Sequence, residues 1–125
     1  MGRGGFRAML WHQGESDVSK TSEEYETKLT NIITSMRVAA GWDFPWFVAQ
    51  VSYLNPQNPS FDSTRSAQKR MWDKGVAYPG PDTDTLVGKN RDFDGQGIHF
   101  SPQGLKKHGE MWAEKVAPFV EKAIR

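Results

Sequence analysis

The 125-residue chain contains no cysteine. Disulfides, thiolate metal sites and a cysteine nucleophile are thereby excluded, and the redox compartment is left undetermined. Net charge is nearly absent as well: 16 basic residues against 15 acidic ones leave +1 at pH 7. Without a basic excess there is no electrostatic case for nucleic acid or an anionic membrane surface as a partner. No apolar run approaches the ~18 residues of a membrane span, and the opening MGRGGF carries no apolar signal core. Repeats, low-complexity tracts and linkers are missing, so the chain reads as one domain, 1–125, long enough to bury a core without staples. What is plentiful is aromatic and turn-forming: 5 Trp, 7 Phe and 3 Tyr beside 12 Gly and 7 Pro mark an aromatic-rich, loop-rich domain.

The pattern along the chain alternates. Phe6 to Trp11 (FRAMLW) is a short apolar run with the character of a buried strand. Thr21-Ser22-Glu23-Glu24 offers a capping box, a hydroxyl followed three residues later by a carboxylate. The helix it opens places Tyr25, Leu29, Ile32 and Met36 on one face, and Gly41 supplies its stop. Trp46 to Tyr53 (WFVAQVSY) is almost continuously apolar, as strands buried on both faces are. Leu54 to Phe61 holds two Pro and two Asn and reads as a loop. Asp62 or Ser63 then caps a helix to about Lys74, with Ala67 and Met71 inward and Gly75 at its end. Thr83 to Val87 reads as a weak third strand, and Lys89 to Phe100 as a polar, glycine-containing loop. Ser101-Pro102 opens a last helix whose stripe is Leu105, His108, Trp112, Val116, Phe119 and Ala123, with Pro118 expected to kink or restart it. The order β-α-β-α-β-α predicts a parallel sheet in a layered α/β domain of three strands and three helices.

Open parallel sheets collect ligands at the carboxyl ends of their strands. Two loops belong there: Trp11-His12-Gln13-Gly14-Glu15-Ser16-Asp17 and Asp92 to Phe100. A primary amide such as that of Gln13 can donate to a developing oxyanion. A histidine with a carboxylate beside it, such as His99, can act as an oriented general base. Ser16 lacks the second glycine of a G-x-S-x-G turn and reads as a residue bonding its own loop. His12 reads as a wall or surface residue and His108 as a satisfied core or boundary histidine. Gly14 between His12 and Glu15 removes the helical spacing a metal pair needs, so no metal is expected. Arg65 and Gln68 read as residues that tie neighbouring loops together, and the remaining scattered lysines and arginines as a solvated face.

Taken together, FRAMLWHQGESD, the Arg65/Gln68 pair and GIHFSPQGL resemble the SGNH-hydrolase superfamily, and within it the sialate O-acetylesterase-like proteins and carbohydrate esterase family six. The resemblance runs over nearly the whole chain. It implies a three-layer α/β/α sandwich with a parallel, flavodoxin-like sheet. It also implies a serine esterase that removes acetyl groups from carbohydrates without a metal or organic cofactor. Residue by residue, Gln13 matches the oxyanion-hole amide, Gly14 and Glu15 its supporting neighbours, and His99 the catalytic base. The family's aspartate three residues before that histidine is here Gln96. The nearest carboxylates are Asp94 and Asp92, and Asp94, in a D-G step, is the expected orienting partner. The family's N-terminal nucleophile block has no match, so the resemblance covers the C-terminal portion of such an enzyme. The expected partners are an acetylated carbohydrate and either a missing N-terminal half or a second copy, paired along the open edge of Phe6 to Trp11. The alternative is a truncated, non-catalytic domain that binds carbohydrate or self-associates through that edge. Nothing in the chain selects among xylan, sialic acid and other acetylated glycans, or assigns a compartment.

Overall fold

The computed structural model describes residues 5–124; Met1 to Gly4, read above for a leader segment, lie outside it. Three parallel strands, β1 (Met9–Trp11), β2 (Trp46–Gln50) and β3 (Tyr78–Asp82), form a sheet in the order β1-β2-β3. Helices α1 (Ser22–Ala40) and α2 (Asp62–Asp73) cover one face, and α4 (Pro102–Ile124) lies on the other; a single turn, α3 (Asp92–Gly95), precedes α4. The alternation of β2 produces these layers. Trp46 and Val48 enter the core with Tyr25, Leu29 and Ile33 of α1 and Ala67 and Met71 of α2. Phe47 points the other way, its ring centroid 5.5 Å from that of Phe119 on α4. Both faces of β2 are thus covered, which is why its sequence is apolar throughout. The expected α/β/α layering is observed.

The capping box forms as the sequence predicts. Glu24 N–H donates to the Thr21 hydroxyl at 3.1 Å, and Thr21 N–H donates to the Glu24 carboxylate at 2.9 Å. Gly41 ends α1 at φ 73°, where a side chain would be strained. The inward stripe of α1 is nevertheless Tyr25, Leu29 and Ile33; Ile32 and Met36, expected inward, are each 38% exposed. Ile32 instead lines a groove of about 220 Å³ with Trp11 and Gln13, beside the outer edge of β1. Leu105, expected on the buried stripe of α4, is also exposed, and Gly104 takes the buried position because a Cβ there would lie 1.9 Å from the Asn90 carbonyl oxygen.

The third strand is where the structure departs most from the sequence pattern. It is Tyr78–Asp82 (YPGPD), not Thr83 to Val87, and Thr83–Thr85 is a 3₁₀ turn. Two prolines and a glycine conceal it. β3 is an edge strand, and prolines two residues apart aim their missing N–H groups at the same, unpaired side. Gly80 is needed because a Cβ there would lie 2.7 Å from the Ala49 nitrogen of β2. The other strands are shorter than their apolar runs. Phe6 to Ala8 precede the ladder, which opens where Met9 N–H donates to the Pro45 carbonyl at 2.9 Å. β2 stops at Gln50 because side chains take over its backbone: Val51 N–H donates to Gln68 Oε1, and Ser52 and Tyr53 N–H both donate to Asp84 Oδ1. Helix α4 runs through Pro118 without restarting.

Candidate active site

The carboxyl ends of β1, β2 and β3 carry the polar machinery of the fold. Asp82 and Asp84, at and just beyond the end of β3, receive the Arg65 guanidinium at 2.7–2.9 Å. Arg65 also donates to the Gln50 side chain at 3.0 Å, so α2 is tied to both strand ends. Gln68 is fully buried and spans three segments: it accepts from Val51 N–H and donates to the Val51 and Gln13 carbonyls. Arg65 and Gln68 therefore do the tying expected of them.

The first loop is drawn tight against β2. A Cβ on Gly14 would lie 1.8 Å from the Val51 carbonyl oxygen, so only glycine permits this approach. Gly14 N–H donates to Glu15 Oε2 at 3.1 Å, closing the turn on its own side chain. The Gln13 carbonyl receives the Tyr25 hydroxyl at 2.7 Å, while the Gln13 amide donates to Asp17 Oδ2 at 2.7 Å. One of the two amide hydrogens is thereby held, which orients the other. Ser16 is exposed on the 3₁₀ turn Glu15–Asp17.

The second loop is held by Arg91, which is 4% exposed. Its guanidinium donates to the carbonyls of Leu86, Ile98 and Thr83 at 2.6, 2.8 and 2.8 Å. It lies over the rings of Tyr53, at 3.9 Å, and Phe100, at 4.4 Å. A scattered arginine read from the sequence as solvated is thus the centre of the loop. Next to it, Asp92 N–H donates to the His99 carbonyl at 2.9 Å, and Asp92 Oδ2 stands 3.8 Å from His99 Nδ1. The other Asp92 oxygen is buried without a hydrogen-bond partner among the described residues. The carboxylate facing His99 is therefore Asp92; Asp94, the expected partner, is exposed on the adjacent turn. The imidazole is 83% exposed, so its outer nitrogen is open to a reactant.

Between Asp92 and His99 the backbone is strained. Phe93 (φ 48°, ψ 51°) and Asp94 (φ 55°, ψ 36°) are consecutive non-glycine residues in the left-handed region, at about 1 kcal/mol each or more. The two loops meet through aromatic rings: His12 lies 5.8 Å from Phe100 and 4.5 Å from His108, centroid to centroid. His12 Nε2 is 2.7 Å from the Thr83 hydroxyl, and Trp112 donates to His108 Nε2 at 2.8 Å. Gln13 and His99 thus sit on loops that touch, and among the described residues no hydrogen bond joins their side chains. Among the described residues no serine hydroxyl is hydrogen-bonded to His99, and no group of acidic or histidine side chains is arranged to hold a metal. No helix among them is long and apolar enough to cross a membrane.

An exposed imidazole with a carboxylate 3.8 Å from its Nδ1 thus stands in the loop before α4, beyond the carboxyl edge of the parallel sheet. The family model described as carbohydrate esterase, sialic acid-specific acetylesterase, matches residues 2–118. The chain belongs to this family of carbohydrate esterases. No curated protein and no solved structure matches it. For this acetylesterase-family chain, Arg91 and Asp92 are the residues that sequence reasoning missed or ranked second. Their only sequence signal is adjacency, an arginine and an aspartate side by side at the start of the loop that ends in His99.

The aromatic cluster beneath the two loops should make the fold acid-sensitive. Burial, then the charges of His108 and Arg91, push the His12 pKa from 6.5 down to about 4. Burial and Arg91 lower that of His108 too. The unfolded chain thus takes up protons first as pH falls below 6.5, so stability declines between about pH 6.5 and pH 4 and is full above that window. For His12 alone the loss is about 3 kcal/mol. Urea-unfolding midpoints measured from pH 7 to pH 4 should fall accordingly, and His12→Gln should flatten the curve. An unchanged slope in that variant would remove His12 as the cause.

Proposed function

We propose that these residues supply the base and part of the oxyanion hole of a carbohydrate O-acetylesterase, with the serine nucleophile coming from a segment outside residues 5–124. The observation that carries the reading is Asp92 Oδ2 at 3.8 Å from His99 Nδ1 with the outer imidazole nitrogen open. In the reaction, the serine hydroxyl attacks the acetyl carbonyl while His99 Nε2 takes its proton. Asp92, 3.8 Å from the opposite nitrogen and beyond direct hydrogen-bond length, stabilises through its charge the imidazolium that forms. The Gln13 N–H not engaged by Asp17 donates to the tetrahedral oxyanion. Collapse expels the sugar hydroxyl, which receives the proton from His99. Water, deprotonated by the same imidazole, then cleaves the acetyl-serine and releases acetate. Acetylated carbohydrate is the substrate class, and no cofactor takes part.

The outer edge of β1 supports an external nucleophile. Among the described residues β1 pairs with β2 alone, and a groove next to β1 includes Gln13. A further strand pairing there would bring new residues next to the Gln13 amide. The second reading, a non-catalytic domain that self-associates through this edge, is favoured by the 45% exposure of Leu10 on β1. One experiment separates the two. The intact gene product is incubated with acetylated xylobiose and with O-acetylsialic acid, and acetate is measured alongside labelling by a serine-directed fluorophosphonate. Acetate release, with label on a serine outside residues 5–124, is expected. Label confined to a serine within those residues overturns the nucleophile assignment. Absence of acetate, with a dimer by light scattering, favours the second reading.

A further inference from the structure

We infer that Phe93 is a stacking platform for the sugar ring of the substrate, a role that rests on the esterase reading of the same loop. Three observations converge on it. The side chain is 80% exposed, the most exposed of the large apolar residues described. It occupies the left-handed region at φ 48°, ψ 51°, where a residue with a Cβ is strained. It also directly follows Asp92, and both side chains crowd Gly97: a Cβ on Gly97 would lie 1.6 Å from Asp92 Oδ1 and 2.8 Å from Phe93 Cδ2.

Exposure and strain together are informative. A left-handed phenylalanine that filled a core position would be offset by apolar burial, but this ring gains almost none. The conformation is nevertheless over-determined by its surroundings. Gln96 N–H donates to the Phe93 carbonyl at 3.1 Å, Gly97 N–H to the Asp92 carbonyl at 3.0 Å, and Asp92 N–H to the His99 carbonyl at 2.9 Å. The turn that aims the Asp92 carboxylate at His99 is thus the same turn that pushes the Phe93 ring outward. The ring faces an open cavity of about 600 Å³ shared with Lys89, Asp94, Phe100 and Pro102. An acetyl group delivered to His99 carries its sugar with it, and the apolar C–H face of a pyranose packs well on an exposed aromatic ring. Phe93 is accordingly a positioning residue for the leaving sugar rather than a participant in proton transfer.

The test compares Phe93→Ala, Phe93→Tyr and Phe93→Gly in the intact gene product. It uses whichever of acetylated xylobiose and O-acetylsialic acid turns over faster, with 4-nitrophenyl acetate as the sugar-free ester. Phe93→Ala should raise KM for the sugar ester about tenfold, the scale of one lost ring contact, and leave kcat and the sugar-free ester within about twofold. Phe93→Tyr should restore the KM. Phe93→Gly should show the same KM defect while raising the Tm by about 3 °C, because glycine relieves the left-handed strain. An equal loss on both esters, or an unchanged KM in Phe93→Ala, overturns the platform and leaves the esterase reading standing. If neither ester is hydrolysed, the esterase reading falls; calorimetric binding of deacetylated xylobiose and sialic acid then decides, with Phe93-dependent binding supporting the platform and its absence overturning it.

Discussion

Replacing His99 by alanine should lower kcat/KM for acetate release by roughly 10³-fold, within the range that a positioned general base contributes. The side chain is 83% exposed, so the same variant should keep its unfolding midpoint, which separates a chemical loss from a structural one. The orienting carboxylate gives a sharper comparison. Asp92→Asn removes the group 3.8 Å from His99 Nδ1 and should cost about 10²-fold or more. Asp94→Asn, on an exposed carboxylate of the neighbouring turn, should stay within about threefold. Steady-state kinetics on the acetylated sugar decide the matter. Near-normal turnover in His99→Ala would end its assignment as the base, and a larger loss from Asp94→Asn than from Asp92→Asn would restore Asp94 as its partner.

Arg91→Met should destabilise the protein by about 4 kcal/mol, because three carbonyls lose a charged donor at once. Those carbonyls, from Thr83, Leu86 and Ile98, lie on the segments that bracket the loop, and the guanidinium also fills the space between Tyr53 and Phe100. Methionine keeps the length and much of the volume but supplies no donor. Lysine carries the charge but lacks the planar fork that reaches three acceptors, so Arg91→Lys should recover only part of the loss. In thermal unfolding the methionine variant should melt about 15 °C below the parent. Its turnover should fall at temperatures where it is still folded, since Arg91 holds the Ile98 carbonyl, next to His99. A midpoint within about 3 °C of the parent would show that solvent or a neighbouring donor replaces the guanidinium without cost.

The two variants probe parts of the site that were unequally legible. His99 stands out in the sequence as a loop histidine with acidic neighbours ahead of a proline-started helix, and Gln13 as an amide in a glycine-containing loop after a strand. Arg91 has no such mark, because a single arginine in a polar loop gives no indication that three carbonyls will converge on it. The choice between Asp92 and Asp94 depends on Phe93 and Asp94 entering the left-handed region, which sequence preference disfavours for phenylalanine and which the surrounding hydrogen bonds impose. The sequence pattern hides the third strand because proline and glycine signal turns locally. They are admissible in Tyr78–Asp82 only because β3 lies at a sheet edge and Gly80 presses on Ala49.

By itself the amino-acid sequence determined the features set by neighbours within about one helical turn: the capping box and glycine stop of α1, the buried character of β2, the serine-proline start of α4, and the alternation that makes the sheet parallel. The motifs around Gln13 and His99 also carried the family. Tertiary structure alone decided which apolar stripe of α1 faces inward, which carboxylate meets His99, and that Arg91 is buried. Each of these depends on groups far apart in the chain approaching within a few ångströms, as when Gln68 clamps Val51 and Gln13, and such approaches leave no periodicity or spacing in the sequence to read.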